Sequence, residues 1–400
     1  MNRIAVINTE GQLETMTPTG RDRCVLSDGR YFYQFPAWSP DSCSIAVIGI
    51  EERQGGVFVC DAPTVSHAPL RSIYESQKQQ PFYLYWSPDN RYLSFLATHP
   101  RGDVALHLVP LSAGIDGSRL IDMGRPYFWA WSLDSQSIFV HRGGGEKEAQ
   151  LGFIEHPFEQ LQQSIAFPGM FQTPGISVSG RYWAYTSLGQ DETSHIVIEE
   201  SQTRRRKRFE HKGRTILSWS PTQDLLAVIS PLEDAPHYYG MLRLIDPKSG
   251  RVNVLTDDSV IAFFWSPDGQ KIAFFTLTHG TDWRDARGDN LYVQEGYARG
   301  RPLPIRHNMT EVWLDLNVVD IDSERSQLLT PFMPNPIFLN QYLPFFDQYA
   351  LSHRLWSPNS KALTLPVIAN DREQIVVVPI DGRTPPLAIA EGIMSSWSQQ

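Results

Sequence analysis

Short apolar runs recur along this chain, and each begins seven residues after the tryptophan of a Trp-Ser pair. The runs are three or four residues long and are bounded by polar turns, which is typical of short β-strands rather than helices. Six tryptophans precede such runs, at positions 38, 86, 131, 219, 265 and 356, and the runs begin at positions 45, 93, 138, 226, 272 and 363.

Two further copies extend the repeat. A degenerate copy has Ile176 in place of the tryptophan, with Trp183 seven residues later, and the last copy is Trp397-Ser398 at the C-terminus. Consecutive copies lie 41 to 48 residues apart, except for one interval of 91 residues between Trp265 and Trp356. Periods of about 40 to 50 residues with short strands indicate β-propeller blades. Eight copies predict an all-β, eight-bladed propeller, with seven blades as the alternative.

The two chain ends complete one repeat. If the C-terminus continued into the N-terminus, Ile4 would fall seven residues after Trp397, and Arg3–Ile7 is similar to Ser44–Ile48. The sequence therefore predicts a single propeller domain over residues 1–400. We expect its N- and C-terminal strands to pair in one shared blade and to close the ring. Closure would protect sheet edges that otherwise invite aggregation.

The repeat of the form Trp-Ser-Pro-Asp-Gly, complete at residues 265–269, resembles the repeat of TolB-type propellers, which also occurs in the propeller domains of prolyl-oligopeptidase relatives. The resemblance covers essentially the whole chain. TolB is periplasmic and has an extra N-terminal domain, and the oligopeptidase relatives carry a hydrolase domain. We expect neither in this chain, so the resemblance implies a stand-alone propeller that serves as an interaction platform.

Two insertions account for the 91-residue interval. Residues 313–320 and 326–330 are similar to outer strands of the other repeats, which leaves extra residues at about 279–311 and 331–351. Each insertion follows a second or a fourth strand, so both should lie on one face, near the mouth of the central channel. Long loops in compact domains commonly carry function.

The side chains of these insertions are the candidate contacts for a partner or ligand. The first insertion is polar and the second is aromatic, so the second is either a lid packed on the first or an exposed anchor for a protein. The candidates are His279, Asp282, Trp283, Arg284, Tyr342, Phe345, Phe346, Asp347 and Tyr349, together with His353 and Arg354 at the following strand. For His353 and Arg354, a structural hydrogen-bonded pair is the favoured alternative.

Charge and cysteine content narrow the class of protein. The chain has 35 Lys and Arg against 44 Asp and Glu, a net charge of −9, so nucleic acid is not an expected partner. The basic run at residues 204–208 is interpreted as a solvated turn, with an anion-contacting patch as the alternative. Three cysteines without Cys-x-x-Cys spacing predict neither disulfides nor a zinc site. Lacking a signal peptide or a membrane-spanning stretch, the sequence predicts a cytoplasmic protein.

No catalytic motif is present. The chain has no phosphate-binding loop, no Gly-x-Ser-x-Gly elbow and no His-Glu-x-x-His, and we expect no cofactor. The sequence thus favours a non-catalytic scaffold that presents the insertion-bearing face to a protein or peptide. One alternative is a propeller that binds a small molecule or glycan at the channel mouth. The other is a hydrolase or lyase with a metal ion, for which His99, His141 and His279 are the conceivable ligands.

Overall fold

The structure is a computed structural model, and it describes residues 2–61, 63–143, 149–161, 163–188, 194–211, 213–231, 240–278 and 312–400. Antiparallel β-sheets dominate these residues, and within each sheet neighbouring strands follow one another in sequence, except where the last strand joins the first. The candidates His279, Asp282, Trp283 and Arg284 lie outside the described residues.

The first half of the chain supplies sheets of three or four strands. The first contains β29 (Met394–Trp397), β1 (Ile4–Ile7), β2 (Leu13–Met16) and β3 (Cys24–Val25); the second contains β4 (Phe32–Trp38), β5 (Ile45–Glu51), β6 (Gln54–Cys60) and β7 (Leu70–Ser76). The third contains β8 (Pro81–Trp86), β9 (Tyr92–Thr98), β10 (Val104–Pro110) and β11 (Arg119–Gly124), with a 3-10 turn at Ile115–Gly117; the fourth contains β12 (Tyr127–Trp131), β13 (Ser137–Arg142) and β14 (Gln150–Glu155).

The second half continues the same order. The fifth sheet contains β15 (Gly175–Ile176), β16 (Tyr182–Leu188), β17 (Ser194–Glu200) and β18 (Arg206–His211). The sixth contains β19 (Ile216–Trp219), β20 (Leu226–Pro231), β21 (Gly240–Ile245), β22 (Val252–Trp265), β23 (Lys271–Leu277), β24 (Leu314–Asp320) and β25 (Ser326–Phe332), and the seventh contains β26 (Ala362–Ala369), β27 (Arg372–Pro379) and β28 (Leu387–Glu391).

The seven-residue spacing of the sequence is the strand register of the structure. In all eight copies, the residue at the tryptophan position, which we call the anchor residue, pairs with the residue seven positions later. For Trp397 the count continues from the C-terminus to the N-terminus and reaches Ile4. The pairs are Trp38 with Ile45, Trp86 with Leu93, Trp131 with Ile138, Ile176 with Trp183, Trp219 with Leu226, Trp265 with Ile272, Trp356 with Leu363 and Trp397 with Ile4. The chain ends thus share one sheet, at the expected register.

The repeated tryptophans join one sheet to the next. In four copies the indole N–H donates to the carbonyl one residue before the tryptophan of the preceding copy, so the ring both fills space and satisfies a backbone acceptor. Such bonds link Trp38 to Ser396, Trp86 to Ala37, Trp265 to Ser218 and Trp356 to Phe264, all at 3.0–3.1 Å. Trp131 is connected through a serine instead. Its indole N–H donates to the Ser94 hydroxyl, and that hydroxyl donates to the Tyr85 carbonyl.

The turn after each tryptophan is held by its own side chains. In one copy the Ser266 hydroxyl donates to the Asp268 carboxylate at 2.6 Å, and that carboxylate accepts the backbone N–H of Gln270 at 3.1 Å. The Ser266 hydroxyl also accepts the N–H of Lys271 at 2.9 Å. Gly269 has a φ of +67°, which glycine adopts without strain. These bonds explain why serine and aspartate recur at these positions.

One strand is longer than the repeat predicts. The sequence indicates an outer strand near residue 254 and a separate first strand near Trp265, but β22 runs through both. A register irregularity lies between Val260 and Ala262, where the strand changes its partner from β21 to β23. The polar residues between the two apolar stretches therefore mark a bend in a continuous strand rather than a loop.

The basic run is partly neutralised by a buried carboxylate. The Glu199 side chain is fully buried, and its oxygens lie 2.8 Å from Arg204 Nε and 2.7 Å from Arg206 Nε. The Tyr185 hydroxyl donates to the same carboxylate at 2.7 Å. Part of the run is therefore a structural ion-pair network, and its last three residues lie in the edge strand β18 rather than in the predicted turn.

Candidate functional site

The segment between β25 and the following Trp-Ser pair packs against the first strands of several sheets. We call residues 333–353 the cap segment. It contains a π-helical turn at Phe338–Tyr342, a 3-10 turn at Leu343–Phe345 and a short helix α1 at Phe346–Tyr349. The expected first strand after it is reduced to a single bridge between Trp356 and Leu363. The second predicted insertion is thus a compact, helical element rather than a loose loop.

Asn335 fixes the start of the cap segment. It stands between two prolines and is fully buried. Its side-chain oxygen accepts the N–H of Phe338 at 2.9 Å, and its amide donates to the Ile393 carbonyl at 2.9 Å and the Glu373 carboxylate at 3.1 Å. One side chain therefore begins the helical turn and ties it to the strands near the C-terminus.

Aromatic rings of the cap segment continue the core. Tyr349 stacks on Phe35 of β4 with ring centroids 5.4 Å apart, and it meets the ring of Tyr83 of β8 edge-on at 5.0 Å. Phe346 packs edge-on against Phe263 of β22 at 5.5 Å. Because these partners come from three different sheets, the rings bury apolar area that no single sheet could cover.

Gln348 makes the main polar contacts between the cap segment and the neighbouring sheets. Its side-chain amide accepts the N–H of Trp129 and donates to the carbonyl of Trp129, both at 2.9 Å, so it pairs with the free edge of β12 as another strand would. The Tyr83 hydroxyl donates to the Gln348 carbonyl at 2.7 Å. Gln348 is only 4% exposed, so these bonds lie where water cannot replace them.

Asp347 is buried beside the fifth sheet. Its Oδ2 accepts the backbone N–H of Thr173 at 3.0 Å, while Oδ1 has no hydrogen-bond partner among the described residues. Burial raises the pKa of Asp347, and the bond from Thr173 and the charge of Arg214 oppose that shift. Gln172, the neighbour of Thr173, donates to the Pro344 carbonyl at 3.1 Å. This side of the cap segment is therefore anchored through backbone and amide groups.

His353 is a buried neutral base at the end of the cap segment. Its Nδ1 lies 2.6 Å from the Ser352 hydroxyl, which lies 2.7 Å from the Tyr83 hydroxyl. Burial lowers the pKa of His353 to about 4. The same cause lowers the pKa values of His107 and His141 to about 4.

We expect these histidines to make the fold sensitive to acid. Above pH 6.5 a histidine is neutral in both states, whereas between pH 6.5 and 4 it is protonated mainly in the unfolded state, which lowers the free energy of unfolding. The raised pKa of Asp347 acts in the opposite direction and is common to the variants compared. His353→Asn should reduce the loss of unfolding free energy between pH 6.5 and 4 by up to about 1.4 kcal/mol per pH unit.

The measurement is urea unfolding, followed by circular dichroism, at several values from pH 4.5 to 7.5. His67→Asn, at an exposed position, is the matched control for replacing a histidine by asparagine. An equal pH slope in wild type and His353→Asn would contradict a neutral buried His353.

Little space is left beneath the cap segment. A cavity of about 20 Å³ is lined by Phe35, Phe338, Tyr342, His353 and Met394. That volume accommodates about one water molecule, whereas small-molecule sites usually enclose about 300–1,000 Å³. The described part of the cap region therefore does not form an open ligand pocket.

The structure places the predicted site residues inside the protein. Tyr342, Phe346, Asp347, Tyr349 and His353 are at most 7% exposed, so they do not form an exposed anchor. Their assignment as partner or ligand contacts stays a prediction. Phe345 and Arg354 are half-buried. Arg354 donates from Nη1 to the Gln399 carbonyl at 2.7 Å, which is a structural role.

Sequence analysis missed the polar residues that position the cap segment. Gln348, Asn335 and Tyr83 are not part of any motif, but Asn335 is a single polar residue between two prolines and Gln348 follows Asp347 within an aromatic stretch. An amide in such a stretch must find hydrogen-bond partners when it is buried, and that expectation is the signal that could have identified Gln348 and Asn335.

Within the described ranges, no cluster of three or more His, Cys, Asp or Glu side chains could hold a metal ion. His141 instead stacks on Phe171 with centroids 4.4 Å apart and lies 2.8 Å from the Gln172 carbonyl oxygen. None of the helices that the structure describes is both long and apolar enough to span a membrane.

One of the similar solved structures supports the fold, and two others match at lower TM-scores. The dihydro-heme d1 dehydrogenase NirN, in complex with DHE, matches with a TM-score of 0.52 and 12% identity over 98% of this chain and 74% of that chain. TolB from Acinetobacter baumannii matches with a TM-score of 0.44 and 15% identity over 99% of this chain. Oligogalacturonate lyase from Vibrio parahaemolyticus matches with a TM-score of 0.44 and 11% identity, over 98% of this chain and 85% of that one.

The chain has a β-propeller-like, all-β fold. At these identities the likeness concerns the fold alone, and it gives no information on activity. This chain spans 66% of the length of the Acinetobacter TolB chain. No protein-family model matches the sequence, and no curated protein matches it.

Proposed function

We propose that this chain is a TolB-type propeller of eight blades that acts as a non-catalytic scaffold for a protein or peptide partner. Eight anchor pairs at one register support eight blades rather than seven, because β22 serves two consecutive repeats. The pairing of β1 with β29 supports closure of the ring through the chain ends. Under this proposal residues 1–400 are one domain, and the cap segment covers one mouth of the channel.

The packing of the cap segment is the observation that carries the proposal. Its inner side is filled by aromatic rings and by Gln348, so this face offers a built surface instead of an open pocket. Its outer side exposes part of several apolar residues: Phe345 and Leu339 are half-buried, and Leu351 is 37% exposed. An apolar surface on a rigid base is suited to contact with a protein.

The proposal is tested by substituting the outer side of the cap segment without disturbing its inner side. Leu351→Glu places a charge on the proposed contact surface, and we expect it to abolish retention of specific partners on the purified chain, read by mass spectrometry. Leu328→Glu is the matched control, since Leu328 is 55% exposed on the outer strand β25. Its set of partners should equal that of wild type.

Identical partner sets for Leu351→Glu and wild type, with both proteins equally stable to heat, would refute this surface as the site of interaction. Loss of partners in both variants would have the same meaning, because the effect would then not be specific to the cap segment.

A cytoplasmic location is part of the same proposal. None of the three cysteines forms a disulfide bond within the described residues, as is usual for proteins of a reducing compartment. Subcellular fractionation of the native protein, probed with an antibody, tests this location, and recovery in the periplasm or the medium would contradict it.

A further inference from the structure

The outer edge of the fifth sheet is formed by β18, which pairs with β17 on one side only. The Glu200 N–H donates to the Arg205 carbonyl at 2.9 Å, which sets the alternation of hydrogen bonds along this antiparallel pair. The backbone N–H and carbonyl groups of Arg206 and Arg208 therefore point away from β17. They have no backbone partner among the described residues, so this edge can accept one more strand.

The chain at this edge concentrates positive charge. Residues 204–208 read Arg-Arg-Arg-Lys-Arg, in a protein whose net charge is −9. All five residues are exposed. Basic side chains on an edge strand discourage pairing with most other strands. Because the same charges attract an acidic strand, the edge is selective for one class of partner.

Two of the arginines are held in position by Glu199. Its buried carboxylate lies 2.8 Å from Arg204 Nε and 2.7 Å from Arg206 Nε, and the Arg204 guanidinium also lies over the Trp183 ring at 4.8 Å. The Nη atoms of both arginines form no hydrogen bond with the described residues. Each guanidinium therefore keeps a pair of N–H groups that can bind a further carboxylate, in an orientation that is already fixed.

The other cations of the run are not neutralised by a carboxylate. Arg205 and Arg208 form no ion pair within the described part of the chain. Lys207 Nζ donates to the Lys248 carbonyl at 2.7 Å, which orients its charge without cancelling it. Glu210 is the one acidic residue of β18, and it would repel an acidic partner at that end of the strand. The attractive part of the edge therefore ends at Arg208.

We propose that β18 adds an acidic peptide strand of a protein partner to the fifth sheet. The peptide backbone bonds to the outward N–H and carbonyl groups of Arg206 and Arg208. Peptide residues directly opposite them lie on the same face as these two side chains, so carboxylates at alternate peptide positions meet the guanidinium groups. Backbone hydrogen bonds supply affinity, and the charge pairs supply specificity. This surface does not include the cap segment, so the inference does not rest on the proposed function.

Fluorescence anisotropy of the full chain with a labelled peptide of four Glu-Val repeats tests the proposal. We expect saturable binding that weakens as the salt concentration rises. Arg208→Glu should weaken it by about tenfold or more, because it replaces an attraction by a repulsion. Arg119→Glu, which makes the same charge change at an exposed position of the edge strand β11, is the matched control and should bind as wild type does. Leu351→Glu should also bind as wild type does, which separates this surface from the cap segment.

N-methylated peptides separate strand addition from charge attraction alone. In the proposed pairing the N–H groups of the glutamates face β18, and those of the valines point away from it. N-methylation of the glutamates should therefore abolish binding, whereas N-methylation of the valines should preserve most of it. Equal binding of these two peptides would overturn strand addition. Equal binding by wild type and Arg208→Glu, or tighter binding of a single-stranded DNA oligonucleotide of the same charge, would overturn the assignment to an acidic peptide.

Discussion

Replacing Gln348 by alanine is expected to destabilise the protein by about 3 kcal/mol, because an unsatisfied buried polar group costs about 1–3 kcal/mol and this change creates several. The N–H and carbonyl of Trp129 at the free edge of β12 would both lose their side-chain partner. Trp129 is fully buried, so these groups are not in contact with bulk water. The effect should appear as a lower midpoint of urea unfolding, followed by circular dichroism.

Two further substitutions separate hydrogen bonding from packing. Gln348→Met has similar length without polar groups, so it should retain most of the destabilisation seen for alanine. Asn340→Ala changes an exposed amide of the same segment and should lie within about 0.5 kcal/mol of wild type. A Gln348→Met variant as stable as wild type would show that the amide does not hold the cap segment in place.

Replacing Trp38 by alanine is expected to cost about 3–5 kcal/mol, the usual range for a large buried aromatic ring. Trp38 is 1% exposed, and its indole bond to the Ser396 carbonyl joins the second sheet to the strand at the C-terminus. The variant loses both the packed volume and a cross-sheet hydrogen bond. We therefore expect it to unfold at a clearly lower urea concentration than wild type.

The contribution of the hydrogen bond follows from Trp38→Phe, which keeps an aromatic ring but leaves the Ser396 carbonyl without its donor. This variant should fall between wild type and Trp38→Ala. Trp313→Ala is the control for loss of a tryptophan, since Trp313 is 37% exposed. If Trp38→Ala and Trp313→Ala were equally stable, the repeated tryptophans would not join the sheets as the structure indicates.

The sequence by itself determined the register between the first two strands of each repeat. The seven-residue spacing predicts the observed register within each repeat, because strand, turn and strand form one local unit. The pairing of Ile4 with Trp397 follows instead from the similarity of the two chain ends to the other repeats. The Ser-Pro-Asp turn is equally local, since its hydrogen bonds connect residues two to five positions apart. Such features can be predicted from a pattern, because the residues that cause them are neighbours in the chain.

Only the tertiary structure decided what the aromatic insertion does. The sequence left open whether Tyr342, Phe346 and Tyr349 form a lid or an exposed anchor, because their partners are strands of distant repeats. Gln348 and Trp129 are 219 positions apart, and no local pattern relates them. The hydrogen-bond partners of a buried amide depend on which strand edge lies next to it in the folded protein. That arrangement depends on the packing of all the repeats together.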